Sequence, residues 1–254
     1  MIAESVSTEK AEALVIRQAD FSESSRVVTF FSREFGKISC LAKGAKRLKG
    51  PFDAALDLLS ACRIVFLQKT SGALNLLTQA ELIRRFAPAP HQLMSLYSGY
   101  YLADLLNRFT EEFDPNATLY DAAEAALNQL ADADCDYATV VLLFEVRLLV
   151  VTGHFPSLAE CIACGEEARI SGRFAHWVSQ GGLLCEHCRR QEYAGKSVSA
   201  ASVNILRSVA NSESMLASRL KLSKEQIAEC HRLTVSIITS VLGKVPGTLR
   251  YLNF

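Results

Sequence analysis

The sequence predicts an α+β fold, because the two parts of the chain have different hydrophobic periods. Through the first 85 residues, short runs rich in β-branched and aromatic residues alternate with turn residues. This pattern is typical of a small β barrel or sandwich. Beyond Pro88-Ala89-Pro90, apolar residues recur every three to four positions, as they do on one face of a helix. We therefore expect a β domain over residues 1–85 and a helical domain over residues 86–254.

The β domain is expected to contain five strands. The strand-like runs lie at residues 13–16, 26–31, 38–42, 62–67 and 74–80. Phe35-Gly36-Lys37 predicts a tight turn between the second and third runs. Residues 43–51 contain two glycines and a proline, which predicts an exposed, mobile loop after the third run.

The second domain is expected to be built from helices. Helical spacing or helix signals cover residues 93–109, 119–131, 137–152 and 223–242, and helix resumes after Ser197. Thr118 is expected to cap the second helix, and Ser223-Lys224-Glu225-Gln226 has the pattern of a capping box. Residues 169–178 look like a small hairpin or ribbon instead.

The composition is that of an ordinary soluble globular protein, with 50% hydrophobic and 21% charged residues among 254. The N-terminus shows no basic region followed by an apolar run, so we expect no signal peptide. The most apolar stretch, residues 140–151, is interrupted by Glu145 and Arg147 and predicts a buried helix, not a membrane span. Eight cysteines without a secretion signal favour a reducing compartment, in which thiols bind metal or stay free.

Two cysteine pairs interrupt the helical part: Cys161-Ile162-Ala163-Cys164 and Cys185-Glu186-His187-Cys188, with 20 residues between them. This is the spacing of a four-thiolate zinc site, in which each pair turns tightly enough to direct both sulfurs at one ion. A closed tetrahedron of thiolates leaves no position for water or substrate. The pattern therefore predicts structural Zn²⁺ bound by Cys161, Cys164, Cys185 and Cys188, in a module spanning residues 158–192.

Other interpretations of the cysteines stay open. The pairs could form a redox dithiol, or the four could be unrelated core residues. His187, inside the second pair, is expected to be a bystander or to support a ligand, and His154 is a weaker rival ligand. The remaining cysteines, Cys40, Cys62, Cys135 and Cys230, are expected to be small core residues.

Charge is distributed unevenly although the formal net charge is zero. Residues 1–85 contain 13 Lys and Arg against 9 Asp and Glu, and residues 86–254 contain 14 against 18. The densest basic segment runs from Arg33 to Lys49, with only Glu34 opposing it. Such asymmetry hints at a polyanionic partner for the first domain, although a charge run is more often a solvated surface.

Catalytic patterns are missing from the sequence. It contains no phosphate-binding loop, no dinucleotide fingerprint, no nucleophile elbow and no His-Glu-x-x-His. The acidic pair Glu111-Glu112 has no second acid or metal ligand beside it and predicts solvated surface. We therefore expect a binding protein and not an enzyme.

Several segments together resemble the bacterial RecO family. The resemblance includes residues 12–17, 21–31 and 33–39, then Ala42-Lys43-Gly44-Ala45-Lys46-Arg47 and residues 77–82. It continues through Gly153-His154-Phe155-Pro156-Ser157-Leu158 into the first cysteine pair, and it ends at residues 249–252. It spans nearly the whole chain, in order.

The resemblance implies an oligonucleotide-binding (OB-fold) barrel, a helical domain with an inserted four-cysteine zinc module, and a mediator of DNA repair and recombination in the RecF pathway after DNA damage. Such proteins bind single- and double-stranded DNA, anneal complementary strands, engage the C-terminal tail of the single-strand-binding protein SSB and, with RecR, help load RecA. RecF is a further candidate partner, and the expected location is the bacterial cytoplasm at the nucleoid.

The residues expected to contact DNA are the basic ones of the first domain: Arg26, Arg33, Lys37, Lys43, Lys46, Arg47 and Lys49. The aromatics available for base stacking are Phe21, Phe30, Phe31 and Phe35, most of which alternation places in the core. A basic, apolar groove for the SSB tail is implied in the helical domain, where Arg108 or Arg147 would line it.

Two other functions stay open. One is a zinc-stapled scaffold for protein–protein contact, whose basic loop is only a solvated turn and which does not anneal DNA. The other is a metallohydrolase, which the full set of thiolates argues against.

Overall fold

A computed structural model describes most of the chain, in two compact units, Met1–Ala133 and Asp134–Phe254. The helices that follow the barrel up to residue 133 belong to the first unit, and the domain boundary after residue 85 stays a prediction. The described residues are 6–47, 52, 55–69, 74–168, 172–177, 180–191, 197–212 and 221–253.

Five strands of the first unit form a closed barrel in the order β1-β2-β3-β5-β4, in which β3 and β5 are parallel and the other neighbours antiparallel. This is the strand order of an OB fold, so the predicted barrel is confirmed and a sandwich is excluded. The strands are β1 Val6–Asp20, β2 Arg26–Ser32, β3 Gly36–Ala42, β4 Ala61–Lys69 and β5 Asn75–Arg84.

Closure of the barrel depends on the length of β1. Its first part, from Val6 to Leu14, pairs with β4, and its second part, from Ala13 to Asp20, pairs with β2. A register shift between Val15 and Arg17 bends the strand from one partner to the other, as β-bulges do at barrel corners. The prediction placed this strand at residues 13–16 only, because the polar residues before them lack an apolar run.

The barrel interior is filled by the inward-facing residues of all five strands. Along β3 the burial alternates strictly, with Ile38, Cys40 and Ala42 inside. Cys40 and Cys62 are buried as expected, and burial raises the pKa of the Cys62 thiol to about 12. The other large residues that the strands contribute to this core are Val15, Val28, Phe30, Ile64, Phe66 and Leu77.

Two helices follow the barrel in the first unit: α1 Leu93–Phe109 and α2 Ala117–Leu130. They pack on the outside of β1 and β2, where the buried Phe31 ring contacts Tyr120 of α2 at a centroid distance of 6.2 Å. The expectation that Thr118 caps α2 is wrong. Asn116 is the N-cap, and its side-chain oxygen accepts from the Leu119 N–H at 2.9 Å.

The described residues of the second unit form three α-helices and a small sheet. The helices are α3 Tyr137–Val151, α4 Ala200–Ala210 and α5 Lys224–Leu242, and a 3-10 helix follows at Gly247–Tyr251. The predicted capping box is present at Ser223 and Gln226. The sheet has the order β7-β6-β8, from β6 Arg173–Trp177, β7 Gly182–Cys185 and β8 Val198–Ser199. The cysteine module therefore lies between α3 and α4, as predicted, although some of residues 158–192 are outside the described ranges.

A buried carboxylate joins two helices of this unit. Glu145 of α3 is fully buried. Its carboxylate accepts a hydrogen bond from the Thr234 hydroxyl at 2.6 Å and lies 2.9 Å from Nδ1 of His231, and both of these partners belong to α5. A buried charge of this kind is tolerated only when it is paired and hydrogen-bonded. Among the described residues, no helix has the length and apolar content needed to cross a membrane.

Candidate functional site

The four predicted ligand cysteines come together in the structure. Their sulfurs all lie within 4.8 Å of one another, and those of Cys164 and Cys185 are 3.7 Å apart. Tetrahedral zinc with Zn–S bonds of about 2.3 Å requires sulfur–sulfur separations of about 3.8 Å. The cluster therefore has the size and the donor set to hold a metal ion.

Each cysteine pair is shaped by backbone hydrogen bonds. The Gly165 N–H donates to the Cys161 carbonyl at 2.8 Å, which closes the first turn, and Gly165 has a φ of 75°. The Ile162 N–H donates to the Leu183 carbonyl at 2.9 Å, which fixes that turn against β7. In the second pair, the Cys188 N–H donates to the Cys185 carbonyl at 3.2 Å. Tight turns thus direct both pairs of sulfurs towards one point.

The surroundings favour a thiolate at Cys161. Burial opposes ionisation, but backbone hydrogen bonds at Cys185, Ala163 and Cys164 outweigh it and lower the pKa of the Cys161 thiol to about 7. His187 lies beside the cluster with Nδ1 3.7 Å from Glu166, and these two residues with Cys185 form a second group of potential ligands. His154 is in neither of the two ligand groups found among the described residues.

The predicted basic residues of the barrel fall into two groups. The cations of the first group have partners in the structure. Two of them bind Asp20, an acidic residue that was not among the predicted site residues. Asp20, at the end of β1, pairs with Arg26 at 3.2 Å and with Lys46 at 3.0 Å. The hydrogen bonds from Lys46 and Arg26 lower the pKa of the Asp20 carboxyl, which stays charged. The two cations are therefore held at the β1–β2 loop and are partly neutralised.

Lys37 and Arg33 also belong to this group, because both have partners in the first unit. The Lys37 ammonium donates to the carbonyls of Asn107 and Thr110 at the C-terminal end of α1. A cation at this end of a helix stabilises its unpaired carbonyls. Arg33 forms an exposed ion pair with Asp121 of α2 at 3.0 Å.

The second group is exposed and makes no ion pair among the described residues. It consists of Lys43 and Arg47, on the turn that follows β3. Lys46, between them, fixes this turn to the β1–β2 loop, since its N–H donates to the Ser24 carbonyl at 3.1 Å. Lys49 lies outside the described residues. Lys43 and Arg47 are therefore the predicted cations best placed to meet a phosphate.

The outer face of β2 and β3, which OB folds use for oligonucleotides, is partly covered. The Glu112 carboxylate accepts from the Ser39 hydroxyl at 2.6 Å and from its N–H at 3.2 Å. The Phe113 N–H donates to the Lys37 carbonyl at 3.0 Å. Residues 110–114, here called the α1 clamp, therefore lie along β3. Glu112 is exposed, as expected of solvated surface, but its carboxylate also binds Ser39, a contact between distant residues that the local sequence does not indicate.

Of the four candidate stacking aromatics, three are inside the fold. Phe30 and Phe31 are fully buried, and Phe35 packs edge-on against Phe66 at a centroid distance of 5.6 Å. Phe21, in the β1–β2 loop, is 60% exposed.

Comparison with known proteins gives the same family in both parts of the chain. The family model described as "Recombination protein O N terminal" matches residues 6–86, and "Recombination protein O C terminal" matches residues 90–250. A protein of Rhodopirellula baltica named "DNA repair protein RecO" is 39% identical over 200 residues, which is 78% of this chain and 74% of the relative.

Further relatives have the same name. Those of Halalkalibacterium halodurans and Listeria monocytogenes are 32% and 33% identical, over 78% and 71% of this chain and 76% and 68% of their own length. The two family models together cover nearly the whole chain in the order in which the barrel and the helical part occur. The chain therefore belongs to the RecO family of DNA repair proteins.

Proposed function

We propose that this protein is a recombination mediator that binds single- and double-stranded DNA and anneals complementary strands. With RecR, it helps to load RecA onto DNA coated with SSB, and RecF is a further candidate partner. The observation that supports this most directly is the OB barrel, at one end of which Lys43 and Arg47 are exposed without an ion-pair partner among the described residues. No catalytic step is assigned to the chain. Its place in the cell is then the bacterial cytoplasm, at the nucleoid.

The metal proposed for the cysteine cluster is Zn²⁺, and its proposed role is structural. Four thiolates would complete its coordination, so the ion would have no open position for a water or a substrate. Bound zinc would stabilise a module in which the described residues form three short strands.

A depression in the second unit fits the proposed SSB tail. It is lined by apolar residues of α3 and α4, including Leu143, Val146 and Val209, and by the guanidinium-bearing Arg147. Any C-terminal peptide ends in a carboxylate, which a cation beside an apolar recess can bind. The Arg147 guanidinium donates to the Ser212 carbonyl at 3.1 Å, which is a neutral partner. Arg108 is less suited, because it forms an ion pair with the Asp104 carboxylate at 2.6 Å.

The test measures the affinity of labelled oligo(dT) across a salt series, followed by annealing of an SSB-coated complement without ATP. The double variant Lys43→Gln with Arg47→Gln should lower the salt slope by about 0.7 for each phosphate that the protein no longer neutralises. It should also slow annealing.

The matched control removes two cations that already have acidic partners, Arg63→Gln with Arg85→Gln. Its slope should stay near the wild-type value, although its net charge equals that of the loop variant. A folded wild-type protein that does not bind oligo(dT) at low salt would refute the DNA-binding proposal. It would favour the protein–protein scaffold, whose partner affinities would survive the loop substitutions.

A further inference from the structure

Phe21 is exposed without a local structural reason. Its side chain is 60% exposed, it is not part of the barrel core, and it forms no aromatic pair among the described residues. Single exposed apolar residues are common in soluble proteins, so exposure alone assigns no role. Phe21 differs from other exposed apolar residues because its loop is held by hydrogen bonds and because cations lie beside it.

The loop that presents the ring is held by its own hydrogen bonds. The N–H groups of Phe21 and Ser22 both donate to the Ser25 carbonyl, at 3.1 and 3.2 Å. The Ser25 N–H in turn donates to the Ser22 hydroxyl at 3.2 Å. A ring on such a loop loses less freedom on binding than a ring on a loosely held segment would.

One cation, Lys46, is bound by the two residues that flank Phe21 in the chain. The Lys46 ammonium lies 3.0 Å from the Asp20 carboxylate and 3.2 Å from the Ser22 carbonyl, which belong to the residues before and after Phe21. Arg26 contacts the same carboxylate. The turn that contains Lys46 also brings the exposed Arg47 to this end of the barrel.

The alternative surface for bases is partly occupied. On the outer face of β2 and β3, Phe31 is buried under Tyr120, and Ser39 is bound by Glu112 of the α1 clamp. Thr29 on the same face is also buried. Among the described residues, the β1–β2 loop therefore combines an exposed aromatic ring with neighbouring cations.

We propose that Phe21 is the base-stacking residue of the barrel, against which an unpaired base of single-stranded DNA packs while the exposed Arg47, on the turn that Lys46 fixes to this loop, contacts an adjoining phosphate. This inference rests on the proposed DNA-binding function. Stacking on an aromatic ring tolerates any base, since every base has a π face. It requires a base outside a duplex, because paired bases stack on one another.

The test compares oligo(dT) with an abasic strand of equal length, by fluorescence anisotropy at fixed salt. Phe21→Ala should weaken oligo(dT) binding about tenfold, and its affinity for the abasic strand should equal that of the wild type. Phe21→Leu retains apolar bulk without a π face and should lose most of the same affinity. Phe21→Trp should bind well, and oligo(dT) should quench its fluorescence beyond any change in wild-type Trp177.

Leu93→Ala is the matched control, since Leu93 is 64% exposed and begins α1. It should leave both affinities unchanged, and thermal unfolding should show that all variants are folded. The stacking role is refuted if Phe21→Ala or Phe21→Leu binds oligo(dT) like the wild type. Equal losses on the abasic strand would also refute it.

The two proposals fail differently. If the Lys43 and Arg47 double variant loses DNA affinity and Phe21→Ala does not, the stacking role is refuted and the DNA-binding proposal is retained. If the folded wild-type protein binds neither strand at low salt, both proposals fall.

Discussion

At the scale of single residues, Asp20 limits the positive charge of the β1–β2 loop. Its carboxylate pairs with Arg26 and Lys46, and a DNA phosphate would compete for the same two cations. We expect Asp20→Asn to tighten single-stranded DNA binding several-fold at low salt and to steepen its salt dependence, because both cations become available. Anisotropy titrations across salt measure both effects.

The control for this prediction is Asp57→Asn, which releases the exposed Arg85 on the same unit and removes the same charge. It should change affinity far less. Equal gains in the two variants would indicate a nonspecific effect of net charge instead of a local one.

His231 makes stability depend on pH. Burial lowers its pKa, but the neighbouring Glu145 carboxylate outweighs burial, so the net shift is upward from 6.5. Because the folded pKa is above the unfolded one, the pair stabilises the fold fully below about pH 6.5. This contribution is lost as the pH rises through the raised pKa.

We therefore expect the free energy of unfolding to fall as the pH rises above about 6.5, and His231→Gln to flatten that part of the profile. At pH 6 the substitution should cost about 1.5–3 kcal/mol, the value of a hydrogen bond to a charged group. Urea unfolding at several pH values measures this, with His91→Gln as the control. A wild-type profile that rises with pH would contradict the assignment.

At the scale of elements, the cysteine module depends on its metal. We expect a strong chelator, or Cys188→Ser, to increase hydrogen exchange in β6 and β7, because three short strands cannot bury enough surface alone. Cys135→Ser, outside the cluster, should not do so. Unchanged protection after the metal has been removed would show that the sheet folds without it.

The α1 clamp has a steric requirement at Gly36. This residue has a φ of 68°, and a Cβ there would lie 1.9 Å from the Asp114 carbonyl oxygen. Gly36→Ala should destabilise the first unit by more than the roughly 1–2 kcal/mol that the left-handed conformation alone costs. Gly247→Ala, where a Cβ meets nothing within 4 Å, should be nearly neutral in the same denaturation assay.

Elements with local signals were predictable from the sequence, and elements fixed by distant partners were not. The capping box at Ser223 is set by neighbours in the chain, and it is confirmed in the structure. The spacing of the cysteines also brings the four sulfurs into one cluster that could hold a metal ion, and zinc itself stays a prediction. The first strand was predicted too short, because its polar residues are ordered by pairing with β4. Lys37 was predicted to contact DNA, because nothing in its local sequence indicates that its ammonium binds the C-terminal end of α1.

At the scale of the whole molecule, the proposed DNA and SSB sites lie in different compact units. Their substitutions should therefore act independently. Arg147→Glu should weaken binding of a labelled SSB tail peptide at least tenfold, as expected from placing an acid against a carboxylate, and should leave oligo(dT) affinity unchanged. The loop variant of Lys43 and Arg47 should show the opposite pattern.

Arg232→Glu on α5 is the control for Arg147→Glu, since it is also a charge reversal in the second unit, at an exposed residue. It should affect neither ligand. If Arg147→Glu and Arg232→Glu weaken the peptide equally, the depression between α3 and α4 is not its site.

The α1 clamp limits the number of nucleotides that the barrel can bind at one time. An open β2–β3 face would let a strand lie across it, with several nucleotides bound in a row. With β3 bordered by residues 110–114, the strand would be held at one corner, through a single ring and a few cations. A short grip leaves the neighbouring bases uncovered, and uncovered bases are what a complementary strand needs in order to pair.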